Sequence, residues 1–285
     1  MDLGVTTAFS QDTPVEHIVA ASRLVDEAGL HSLWVPEHVM FFPDYASRYP
    51  YSDDGRLAGN PKGLLDPFSA LTFVAAHTRR IRLGTGICLV PQRQPVYTAR
   101  LVADLDYLSG GRVDFGIGIG WLKEEFTALG MDFSGRAARC TEYVQAMKAL
   151  WTQEVAEFHG DSIDIAPCHF NPKPVQAPHP PILVGGESDA ALRRVAAIGD
   201  GWYGFDLAPE AIGAPLARLD ELLAEHDRTR ADVSVFVCPN RHRITSESFA
   251  AYRDAGVDQL IAPLFGRNID DLRRRVDKLL AVHET

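Results

Sequence analysis

Short apolar runs alternate with segments of helical period along most of the chain. Residues 3–9 (LGVTTAF) read as a buried strand. Residues 14–29 read as a helix, with Pro14 at its start, Val15, Ile18, Val19, Ala21 and Leu24 on one side, and Gly29 as its stop. Residues 32–38 are the next strand. The period then disappears: residues 39–66 are rich in Pro, Gly, Tyr and Asp, and so long a connection inside a compact unit is usually functional, often a lid.

The alternation resumes with a helix at 67–78, a strand at 81–90, a helix at 95–109 and a strand at 113–118. An amphipathic helix at 136–151 follows, with Tyr143, Met147, Leu150 and Trp151 as core positions, and residues 154–166 suggest a surface hairpin turning at Gly160-Asp161. Four further strands (180–186, 200–205, 233–239, 257–265) alternate with helices at 188–198, 209–226, 246–255 and 269–282. Setting the hairpin aside, eight strands with helices between them favour one (β/α)8 TIM barrel domain over residues 1–285, rather than an open doubly wound sheet. Chemistry is then expected at the C-terminal strand ends. Those ends carry Thr7 and Phe9, Glu37 and His38, and residues 86–92, 118–121, 185–188, 204–206, 239–243 and 263–267.

Composition narrows the partners. With 28 Lys and Arg against 38 Asp and Glu, the net charge of −10 argues against a broad nucleic-acid or anionic-membrane surface. An anionic ligand must therefore be held by local donors. Cys88, Cys140, Cys168 and Cys238 have no C-x-x-C spacing, which suits a reducing compartment and disfavours a zinc or redox pair. The opening MDLGVTTAF lacks a basic region followed by a long apolar stretch, and no apolar run approaches the length of a membrane span. A soluble, cytoplasmic protein is expected.

The stretch SGGRVDFGIGIGWLKEEF (109–126) carries two misleading motifs. Asp114-Phe115-Gly116 spells a kinase triplet, but no H-R-D loop or lysine strand accompanies it. Gly116, Gly118 and Gly120 form G-x-G-x-G rather than G-x-G-x-x-G. The neighbouring strand repeats the feature at Gly84 and Gly86. Either these glycines relieve crowding inside the barrel, or they let a flat ring approach the backbone. Gly185-Gly186 ends a strand and Ser188 can cap the helix after it. That is either a plain turn or an anion site at a helix N-terminus. His38 lies at a strand end just before the lid, as a structural or a catalytic histidine. No metal site is expected, since His38, His169 and His242 have no ligand spacing.

Taken together, LWVPEHV, RIRLGTGICLVPQRQPVYTARLVADLDYLSGGRVDFGIGIGWLKEEF, PHPPILVGGES and GDGW resemble the bacterial luciferase-like flavin and deazaflavin oxidoreductases. The likeness runs from Met1 to about His283. It is strongest to the branch assigned to coenzyme F420, including the RYPYS segment of the lid. The resemblance implies a non-prolyl cis peptide at Gly86–Ile87 behind the cofactor ring, with Thr85, Gly86, Ile87 and Gly118 beside it. It further implies Glu37 and His38 as the catalytic pair with His38 the proton donor, phosphate-holding Gly185 and Gly186 with Ser188 following, and Trp121 and Glu124 in the loop after the fourth strand, beside the ring. Sugar-phosphate dehydrogenases of the family carry a glutamate acid where Trp121 stands, so a flatter or more apolar substrate is implied here.

The expected activity is hydride transfer between F420 and a small organic substrate. The alternatives are an FMNH2- and O2-dependent monooxygenase and a non-catalytic flavin binder. Arg93, Lys123, Arg241, Arg243 and Arg267 form either a basic rim for an F420 tail or solvated surface charge. Family members are often homodimers, which is the expected partner state. The glycines are expected to clear room for the ring.

Overall fold

The computed structural model describes residues 1–58 and 61–283. Its strands and helices follow the alternation closely: β1 (Asp2–Thr6), α1 (Val15–Glu27), β2 (Ser32–Val35), α2 (Pro67–His77), β3 (Arg82–Thr85), β4 (Cys88–Leu89), α3 (Pro95–Ser109) and β5 (Val113–Gly118). After them come α4 (Lys123–Ala128), α5 (Arg136–Thr152), the antiparallel hairpin β6 (Ala156–His159) and β7 (Asp164–Cys168), and β8 (Ile182–Gly185). The chain closes with α6 (Asp189–Ile198), β9 (Gly201–Phe205), α7 (Gly213–Ala224), β10 (Ser234–Cys238), α8 (Ser246–Asp254), β11 (Gln259–Pro263) and α9 (Ile269–His283).

The parallel sheet runs β3-β2-β1-β11-β10-β9-β8-β5, and β5 pairs back to β3, which closes a barrel of eight strand positions. β4 also pairs with β5, so β3 and β4 are two halves of one barrel strand. They are separated by Gly86–Ile87, whose peptide bond is cis, as the family resemblance implies. Residues 39–66 carry no helix or strand up to the start of α2; Gly59 and Asn60 of this lid lie outside the described residues.

Two apolar layers hold the barrel. The outer one lies between strands and helices; α1 contributes Ile18, Ala21, Leu24 and Val25, whereas Val15 is exposed. The inner one contains Trp34, Leu183, Tyr203, Cys238 and Ile261, with Ile87 packed against it. Burial of each large side chain contributes about 1.5–3 kcal/mol.

This inner layer corrects the expectation for the glycines. A Cβ on Gly84 would lie 2.1 Å from the Trp34 ring, and one on Gly116 would lie 2.0 Å from the Thr85 carbonyl and 3.2 Å from that ring. A Cβ on Gly118 or Gly185 would meet Ile87 Cδ1 at 2.1 or 2.8 Å. The glycines therefore make room for Trp34 and Ile87, and any ring rests beyond those side chains.

Candidate functional site at the barrel mouth

Consecutive residues after β2 are used in opposite ways. Glu37 is 4% exposed, and its carboxylate accepts from the Leu89 backbone N–H at 2.6 Å and from Arg93 Nε at 2.5 Å. Arg93 also reaches Asp66, which caps α2 through the Ser69 N–H. Glu37 thus ties the end of β2 to the far half of the broken strand and to α2. This geometry makes it an anchor, in contrast to the expected catalytic pairing with His38.

His38 instead meets a residue the sequence analysis did not assign to it. Its Nδ1 lies 3.0 Å from Glu125 Oε2. Glu125 Oε1 accepts from the backbone N–H groups of Val39, at 2.6 Å, and Met40, at 3.2 Å. Burial pushes the Glu125 carboxyl up, but the hydrogen bond and charge of His38 with the two N–H groups more than offset this and hold it below the ordinary glutamate range. Glu125 is therefore an ionised, fully buried partner that fixes the imidazole. It lies in the first turn of α4, where Glu125 reads in sequence as one of a first-turn pair with Glu124 favoured by the helix dipole. Spacing gave no signal, because 87 residues separate it from His38.

The neighbouring glutamate holds the lid. Glu124 accepts from the Ala46 and Ser47 backbone N–H groups and from the Ser47 hydroxyl, the shortest at 2.6 Å. On the far side, the Tyr51 hydroxyl donates to Glu187 Oε2 at 2.9 Å, and Glu187 Oε1 accepts from the Phe205 N–H at 2.7 Å. Burial outweighs these bonds and raises the Glu187 carboxyl above its ordinary value. Between the two latches, Trp121 meets His38, Tyr45 and Tyr49 with ring centroids 5.8, 5.6 and 5.2 Å apart. The tyrosines of the lid thus line its inner surface. Of the expected basic rim, Arg93 is internal and Arg241 is bound to Asp206 at 3.0 Å, while Lys123, Arg243 and Arg267 are exposed.

Thr85, Gly86 and Ile87 lie at the break in the third strand; the Thr85 hydroxyl donates to the Gly116 carbonyl at 2.6 Å. Gly185 ends β8, Gly186 adopts φ +110°, and Ser188 caps α6 by accepting from the Ala191 N–H. Asp189 in that first turn is neutralised by Arg193 at 2.8 Å and Arg218 at 2.6 Å.

Two further residues stand out between these strand ends and α5: Gln92, at the close of the strand end expected over 86–92, and Arg194, which sequence did not single out. Arg194 is 7% exposed and makes no hydrogen bond or ion pair among the described residues, and its Nε is buried without a partner. Gln92 is 5% exposed with both amide atoms unpartnered. Arg136 donates to the Gly120 carbonyl at 3.1 Å, and a Cβ on Gly120 would lie 3.7 Å from Gln92 Oε1. Burial, then the charges of Arg139 and Arg194, lower the Arg136 guanidinium, so cations converge here. A buried donor set with surplus positive charge fits an anionic group such as a cofactor phosphate.

The luciferase-like monooxygenase family profile matches residues 1–281. An uncharacterised protein of Mycobacterium bovis is 32% identical over 266 residues, covering 92% of each chain. The FMNH2-dependent dimethylsulfone monooxygenase of Pseudomonas putida is 38% identical over 131 residues, 45% of this chain and 36% of that one. Among solved structures, monooxygenase RslO1 from Streptomyces bottropensis superposes with a TM-score of 0.78 at 22% identity over 100% of both chains. The coenzyme F420-dependent tetrahydromethanopterin reductase from Methanopyrus kandleri gives 0.75 at 15% identity over 98% of both. The two structural likenesses are likenesses of fold.

Proposed function

Because the chain belongs to the luciferase-like monooxygenase family, whose members are oxidoreductases, we propose that it transfers a hydride between coenzyme F420 and a small organic substrate. The observation that carries this reading is the His38–Glu125 pair, a fixed imidazole at the barrel mouth beneath an aromatic lid. Arg194, Gln92, Arg136 and the start of α6 would hold the phosphate of the cofactor, and Gly86–Ile87 would back its ring. When bound, the deazaflavin would supply or accept the hydride. His38 delivers or removes the accompanying proton at Nε2, which has no partner among the described residues, while Glu125 holds Nδ1 and keeps the ring oriented. Trp121 and the lid tyrosines exclude water from the reacting carbon.

The FMNH2-dependent relative, 38% identical across the part it shares, supports a second reading as an oxygen-dependent monooxygenase. Titrating the ligand-free protein with F420 and, separately, FMN, followed by fluorescence, tests the choice. Low-micromolar F420 binding with weak FMN binding supports hydride transfer. The reverse preference transfers the reading to the monooxygenase and calls for oxygen-uptake measurements with reduced FMN.

A further inference from the structure

The lid and the strand ends build a continuous aromatic belt over His38. Phe41 lies 4.9 Å from the His38 ring, Trp121 lies beyond it, and Tyr45 and Tyr49 meet Trp121. Tyr49 continues to Tyr51 at 5.6 Å, and Tyr51 to Phe205 at 4.8 Å. All these contacts are tilted or edge-on, with interplanar angles of 47–77°. None is a parallel stack, so the arrangement can accept a flat guest against the indole by a small turn of a lid ring.

The charges around the belt are one-sided. Glu125 lies below it, Glu187 holds Tyr51, and Asp206 follows Phe205. Of the nearby cations, Arg241 is bound to Asp206 and Arg93 to Glu37 and Asp66, while Arg48 and Lys123 are exposed and make no ion pair among the described residues. Arg56 lies over Tyr45, is exposed, and donates to the Tyr45 carbonyl. The exposed cations stay at the outer edge, while the Glu125 and Glu187 carboxylates lie beside the belt, so an anionic substrate finds no buried cationic partner there among the described residues. The unpartnered arginine is on the other side, between α5 and α6, so the mouth separates an anion-holding side from an aromatic, anion-rejecting one.

We propose that the belt selects a planar, uncharged, conjugated substrate of one or two fused rings, with Trp121 as its stacking platform and Tyr49 as the lid residue that closes on it. This rests on the reading of the barrel mouth as the place of reaction, and it names the substrate class of that site. The Tyr49 hydroxyl has no hydrogen-bond partner among the described residues and is available to a carbonyl or hydroxyl on the guest.

Binding can be tested without turnover. Of the four tryptophans, Trp34, Trp151 and Trp202 are at most 2% exposed, whereas Trp121 is half-buried and is the one a guest at the mouth can touch. The full chain is titrated with 2-naphthol, with 2-naphthoate and with fully saturated decahydro-2-naphthol, in the presence and absence of cofactor. By calorimetry naphthol should bind, and the other two should bind at least about tenfold more weakly. By calorimetry, Trp121→Leu should weaken naphthol about tenfold, Trp121→Phe should recover most of the loss, and Tyr49→Leu should weaken it several-fold. Equal or tighter binding of naphthoate or the saturated alcohol, no naphthol binding, or unchanged affinity in both leucine variants would overturn the proposal. Ring selectivity that persists in a protein binding neither F420 nor FMN would sink the proposed function while leaving the substrate pocket standing.

Discussion

The two sides of the barrel mouth differ in how fully their polar groups are satisfied. On the His38 side both oxygens of Glu125 and both of Glu37 are hydrogen-bonded, and Glu124 closes the lid. On the α5–α6 side, both Gln92 amide atoms and Arg194 Nε are buried without a hydrogen-bond partner among the described residues. Leaving such groups unpaired costs about 1–3 kcal/mol each, more for a charge, so the fold tolerates on one side what it avoids on the other. On the proposed function, the reacting side is assembled by the protein alone, whereas the anchoring side would be completed by a ligand.

The comparison can be broken most decisively at His38. His38→Ala should slow turnover about 10²–10⁴-fold while leaving cofactor affinity nearly unchanged, measured by steady-state kinetics beside a cofactor titration. Unchanged turnover would remove the imidazole from the mechanism. Next in size is Glu37→Ala. Removing one partner of the buried Glu37–Arg93 pair should destabilise the fold by about 3–5 kcal/mol, read from denaturant unfolding.

Arg194→Met separates the two sides. Cofactor binding should weaken by about 1.5–3 kcal/mol, the range for a hydrogen bond to a charged group, while the ligand-free protein should be no less stable than the parent. A loss of ligand-free stability with unchanged cofactor affinity would make Arg194 structural. Glu125→Gln should cost about 2 kcal/mol of stability at neutral pH. Because the folded-state pKa of Glu125 is depressed, its contribution is present above the ordinary glutamate value and lost as pH falls through the folded value. The variant should therefore converge with the parent in acid.

The smallest effect belongs to Glu187, whose carboxyl is raised. Its contribution is full below the unfolded value and is lost as pH rises through the folded value. Glu187→Gln should thus gain stability relative to the parent as pH rises above the ordinary glutamate range and lose that advantage in acid, as thermal unfolding across pH would show.

Much of the scaffold was legible from periodicity. Eight strands and their helices are local, repetitive features, and Pro95 and Ser109 bound α3 where the pattern puts them. The short α4 was not resolved as an element, since six residues carry too little period. His38, Ser188 and the Gly86–Ile87 break were readable because strand ends and family motifs mark them. Glu125 and Arg194 were not, because a glutamate in a first turn and an arginine on a helix look like solvated charge until their neighbours are known.

The sequence by itself determined the barrel, the lid's position and the family, because these follow from hydrophobic period, turn residues and contiguous motifs. Tertiary structure alone decided that Glu125 rather than Glu37 holds His38, that the glycines seat Trp34 and Ile87, and that Arg194 has no partner among the described residues. Each of these depends on which side chains from distant segments share one small volume, and burial in that volume decides whether a charge is paired or left waiting.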